Sequence, residues 1–158
     1  MRTPTLLEVL QTLIERTYRM ETGVREIERF VVGDRGFRRL YAAREVVHVV
    51  ESAGFADAQV LVREGGDGVR VNIYYPDALI AALEGRNPLR GLDVSNLDAF
   101  AVFVEELDHF LVLAARALEG RAVSLFELEL HANVTKYLAA RHFLERTLGR
   151  PLTTGERL

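Results

Sequence analysis

SNLDAFAVFVEELDHFLVLAARALEG (residues 95–120) runs directly into RAVSLFELELHANVTKYLAARHFLERTLG (residues 121–149), and these two stretches decide the fold. Ser124 followed three residues later by Glu127 is a capping box, while Gly149 and Pro151 are a stop, so a helix is predicted over Leu125 to Leu148. Ser95 with Asp98 resembles a second cap, which opens a helix from Asn96 to Leu118 before Glu119-Gly120-Arg121 turns the chain. Long helices joined by a link of about five residues pack antiparallel. Residues equally far from the turn then lie level, so facing positions sum to roughly 242.

On this register Glu106 is level with Lys136, and His109 with Asn133; Glu129 lies one turn from Asn133. Val102, Phe103, Phe110 and Leu113 around Glu106 mark it as the inward acid. Its neighbour Glu105 groups with Asp98, Asp108, Arg116 and Glu119 on a face expected to meet water. On the last helix Leu125, Phe126, Leu130, Ala132, Tyr137, Phe143 and Leu144 bracket Glu129, Asn133 and Lys136 in an apolar arc expected to be covered. Glu106, His109, Glu129, Asn133 and Lys136 are therefore the candidate site.

Three chemistries suit that set. An interhelical ion pair with completed hydrogen bonds would fix helix register. Alternatively, Glu106 or Glu129 as general base, His109 as proton shuttle and Lys136 as electrophilic stabiliser would suit a small hydrolase or lyase. Glu106-x-x-His109 has the spacing of carboxylate-bridged dinuclear metal bundles. Its second copy, Glu45 to His48, falls on a polar helix face, and Lys136 would repel a cation, so neither a metal nor another cofactor is expected.

Outward from the helix pair, residues 58–64 and 69–75 are β-prone runs joined by Gly65-Gly66-Asp67-Gly68, a hairpin with Val69, Val71, Ile73 and Tyr75 on one face. Gly65-Gly66-Asp67-Gly68 lacks the following helix that a phosphate cradle needs. Pro76-Asp77 opens a short helix through Leu83, and residues 85–95 form a loop. Thr5 with Glu8 is a capping box for a first helix to about Tyr18. Val24 to Val32 reads as a short helix. Phe37 to Ala53 reads as an amphipathic helix, although the run Val46 to Val50 also suits a strand.

The whole is an α+β, helix-dominated single domain over residues 1–150 with a flexible tail at 151–158. Its 158 residues and apolar fraction of 49% suffice for one core. A net charge of −3 lacks the basic excess that nucleic acid demands, and no uninterrupted apolar span suggests a membrane or a secretory leader. Cysteine is absent, which excludes disulfides and thiolate chemistry, and a cytoplasmic location follows as the default. Lysine and arginine total 20, of which Lys136 is the only lysine. The helix at 99–115 is apolar on more than one side, and Tyr41 and Tyr74 could face outward. These features point to a non-enzymatic interaction or assembly protein, a homo-oligomer or the companion of another protein, with the acid–base enzyme as the alternative.

Overall fold

The structure, a computed structural model, describes residues 2–43, 48–51, 58–66 and 68–156. In chain order these form α1 (Leu6–Tyr18), a 3-10 turn (Ile27–Phe30), β1 (Val31–Val32), α2 (Asp34–Ala42), β2 (His48–Glu51), β3 (Gln59–Gly65) and β4 (Gly68–Tyr74). There follow α3 (Asp77–Gly85), a second 3-10 turn (Pro88–Arg90), α4 (Leu97–Leu118) and α5 (Leu125–Leu148). The chain is a helix-dominated α+β protein whose last two helices pack closely against each other.

Both predicted capping boxes form: Thr5 accepts from Glu8 N at the start of α1, and Ser124 from Glu127 N at the start of α5. Gly149 ends α5 at φ +65°, a left-handed conformation that costs glycine nothing. The start of α4 departs from expectation, because Ser95 does not cap it. Asn96 occupies that position and spends its buried side chain on the preceding loop, accepting from Asp93 N and donating to Arg86 O and Gly91 O. Ser95 bonds back to Asp93 instead.

The hairpin is one part of a larger sheet, ordered β1-β4-β3-β2. β3 and β4 are antiparallel and close at Gly65 opposite Gly68, where φ is +118°. Two segments expected first as helical supply the edges, the second at residues for which a strand is the alternative reading. Val31 and Val32 pair in parallel with Ile73 and Tyr74, leaving a single 3-10 turn of the short helix predicted over 24–32. His48 to Glu51 pairs antiparallel with β3, so the helix predicted from Phe37 ends at Ala42. A β-branched run opposite a vacant strand edge gains ladder hydrogen bonds that an isolated amphipathic turn cannot match. Glu45 lies outside the described residues.

The sheet is covered on both faces. Val60 and Ile73 are fully buried in the main core, whereas Tyr74 on the opposite face stacks on Phe37 of α2 and donates to Asp34. Tyr74 is therefore not a surface residue. Val69, at the far end of the apolar face, stays exposed.

α4 runs through the middle and packs against α1, α3, α5 and the sheet. Every residue from Val102 to Val112 is buried, so this helix has no solvent face over three turns. Fully buried Phe100, Leu107 and Leu111 each contribute about 1.5–3 kcal/mol through removal of apolar surface from water. Beyond α5, Arg150 pairs with Glu156 at 2.7 Å and Leu152 N donates to Glu145. Among the described residues no helix is long and apolar enough to cross a membrane.

Candidate functional site

Burial of α4 takes Glu105, Glu106, Asp108 and His109 with it, and each is at most 5% exposed. Removing so many ionisable groups from water is unfavourable unless partners compensate them. For Glu105 and Asp108 the partners come mainly from α5.

Lys136 Nζ donates to Glu105 Oε2 at 2.7 Å. Asp108 accepts from His131 Nδ1 at 2.8 Å and from Thr135 Oγ1 at 2.7 Å. Because Thr135 has committed its proton to Asp108, Tyr18 of α1 is the donor in the 2.8 Å contact with Thr135 Oγ1. The Tyr18 ring also lies 4.0 Å from that of His131. Burial raises the pKa of Tyr18, and the nearby Asp108 charge adds to the rise, although the bond to Thr135 opposes it. Three helices are thus tied at one level by a neutral hydroxyl chain ending on a carboxylate.

His109 sits differently. Its Nδ1 is 3.9 Å from Glu106 Oε2 and its Nε2 is 3.7 Å from Glu129 Oε1. Neither distance is a hydrogen bond, and both ring nitrogens lack a hydrogen-bond partner although the side chain is 0% exposed. Burial would push this imidazole down; the neighbouring Glu106, with the charges of Glu129 and Asp108, outweighs it and raises the pKa. Glu129 is the outlet of the group, with a side chain 39% exposed. Ligand atoms of Glu105, His109 and Glu129 lie within 4.8 Å of one another, a set able to surround a cation. Glu106 also faces Tyr75, whose phenol donates to Phe103 O at 2.6 Å; burial first, and the Glu106 charge second, push that phenol well up.

The antiparallel register is as expected: Glu105 with Lys136 and Asp108 with Thr135 fall close to the predicted sum. The helix phases need correcting. Lys136 binds Glu105, the acid assigned to solvent, because the polar face of α4 is the face that α5 covers. Glu106 is inward as predicted, but on the side of Tyr75. Asn133 is exposed on the outer face of α5 and stands apart from His109, which meets Glu129 instead. Asp108, His131, Thr135 and Tyr18 were missed. Their signal was present, since His131 and Thr135 share one face of α5 and bracket the level of Asp108.

The same inversion explains α5. Its buried residues are Leu128, Ala132, Thr135, Ala139, Ala140 and Phe143, mostly small, which lets the two helices approach closely. Its large apolar residues lie opposite: Phe126 is 75% exposed, Leu130 55%, Tyr137 52%, Val134 43% and Leu138 39%. The arc expected to be covered is half uncovered.

A cavity of about 720 Å³ is lined by Leu6, Val31, Ile80, Leu89, Phe103 and Tyr75, the tyrosine that Glu106 faces. Comparison with protein-family models, curated proteins and solved structures finds no match for the chain.

Proposed function

We propose that the protein is a non-enzymatic assembly protein that pairs with a second copy of itself through the outer face of α5. One observation carries this reading: the helix turns its small residues inward and presents Phe126, Leu130, Val134, Tyr137 and Leu138 to solvent in one stripe. With Ala132, Ala139 and Ala140 serving the close approach to α4, a large apolar stripe on the opposite face marks a surface that gains by meeting another apolar surface.

The stripe offers on the order of 400 Å² per copy, at about 150 Å² for each large side chain when fully exposed. A stable interface takes about 800 Å² per partner, so this area is the apolar centre and the surrounding polar residues supply the rim. Charge favours an antiparallel self-pairing. A two-fold axis at Val134 sets Leu130 level with Leu138 of the second copy and Glu127 level with Arg141. Both charged residues are exposed on the outer face of α5 and flank the stretch from Leu130 to Leu138 along the helix. Such an arrangement also opposes the two helix dipoles. Full burial of Glu106 and His109 weighs against the hydrolase or lyase reading, because a substrate has no direct approach to them.

Sedimentation equilibrium of the intact chain, beside Leu130→Glu and Tyr137→Glu, tests the proposal. The native chain is expected to be dimeric and both variants monomeric with unchanged circular dichroism. A monomeric native chain at high micromolar concentration, or dimeric variants, would refute it.

A further inference from the structure

The group around His109 is built like a ligand set rather than a completed polar core. Imidazole nitrogens that are shut away from water ordinarily find partners, since an orphaned one costs about 1–3 kcal/mol. Here both nitrogens of a fully buried ring are without one, and Nε2 points at Glu129 from 3.7 Å. Across a cation bound at about 2.0–2.2 Å, neighbouring ligand atoms stand roughly 3–3.5 Å apart, so a small side-chain adjustment converts the observed gap into coordination.

We propose that Glu105, His109 and Glu129 bind a first-row divalent cation such as zinc, cobalt(II) or manganese(II). Each residue contributes one atom, and the three atoms lie within 4.8 Å of one another. Glu105 and His109 are one turn apart on α4, and Glu129 reaches across from α5, so the ion clamps the helix pair near its middle. Lys136 takes one oxygen of Glu105, Oε2, and a carboxylate has a second oxygen and further lone pairs to offer. Charge balance agrees with a dication: the carboxylates of Glu105, Glu106 and Glu129 gather around His109 against the one ammonium of Lys136, which Glu105 already pairs, and the imidazole gives up its proton as the ion binds. The partly exposed Glu129 gives the ion its route in, and three protein ligands leave a further position for water.

This site is independent of the α5 pairing, and its test reads binding rather than assembly. The full chain, stripped with chelator and dialysed, is titrated with zinc by calorimetry and with cobalt(II) by visible absorption. One ion per chain is expected, with cobalt bands of nitrogen and oxygen ligation. Glu129→Gln, at a partly exposed position where folding is insensitive, should weaken binding tenfold or more with unchanged circular dichroism. Glu84→Gln, an exposed acid on α3, should bind as the native chain does. His109→Gln should also lose the ion. Should it fail to fold, Glu129→Gln alone decides. Absence of stoichiometric binding, native affinity in Glu129→Gln, or an ion kept by His109→Gln and lost by His131→Gln would each overturn the assignment.

Discussion

Replacing Lys136 by methionine removes the ammonium and keeps most of the side-chain volume. Glu105 is left with its carboxylate 6% exposed and Asp108 one turn away, fully buried. Stripping one partner from a buried pair costs about 3–5 kcal/mol, because the remaining charge is stranded. Lys136 itself is 25% exposed, so water enters the vacated space and the expected loss falls to about 2–3 kcal/mol. The double variant Glu105→Leu/Lys136→Met removes both charges and should return to within about 1 kcal/mol of the native chain. Urea unfolding followed by circular dichroism, in chelator so that no bound ion contributes, measures all of these. The slope with urea should not change, since the surface exposed on unfolding is the same. A single variant as stable as the native protein would mean that the pair is effectively solvated. A double variant as weak as the single would mean that packing, not charge, holds this level of the helix pair. Either result refutes the reasoning.

Two further predictions come from the caps and the core. Ser124→Ala should cost about 1 kcal/mol by opening the capping box of α5. The backbone and hydroxyl of Ser124 lower the pKa of Glu127, so its stabilising effect is complete above the ordinary carboxylate pKa and fades as pH falls through the depressed value. A carbon-13 titration of Glu127 in the native chain and the variant checks both shift and sign; identical curves would refute the cap. For Tyr75 the sign is opposite, because its phenol is raised well above 10.0 in the folded chain while the unfolded chain ionises there. Stability should fall as pH rises past 10, and Tyr75→Phe should remove that part of the decline while losing about 1 kcal/mol at neutral pH with the bond to Phe103 O. Ultraviolet difference titration at alkaline pH reads it directly, and a Tyr75 phenol ionising at the ordinary value of 10.0 would refute it.

Local signals carried the hairpin and the ends of α1 and α5, though not the start of α4, where Asn96 and not Ser95 takes the cap position. The boxes at Thr5 and Ser124, the stop at Gly149 and the glycine turn before β4 act through groups a few residues apart, and all appear where expected. The edge strands were harder to read. Val31–Val32 and His48–Glu51 are strands because β4 and β3 offer them partners, and a segment's sequence does not contain its neighbour's vacant edge. At the candidate site, equal chain length from a common turn was enough to bring the middles of α4 and α5 level.

What the sequence alone determined, then, was everything governed by short range: which residues form the two long helices, that these run antiparallel, and which levels meet. Only the tertiary structure decided which faces meet. A polar stripe faces water on a surface helix, but α4 is enclosed on every side, so its acids Glu105 and Asp108 turn toward Lys136, His131 and Thr135 on α5. Close approach then required small residues on the inner face of α5, and its large apolar residues were left outside. Periodicity reports how side chains divide around a helix axis; which division is inside depends on what surrounds the helix, and that is a property of the whole chain.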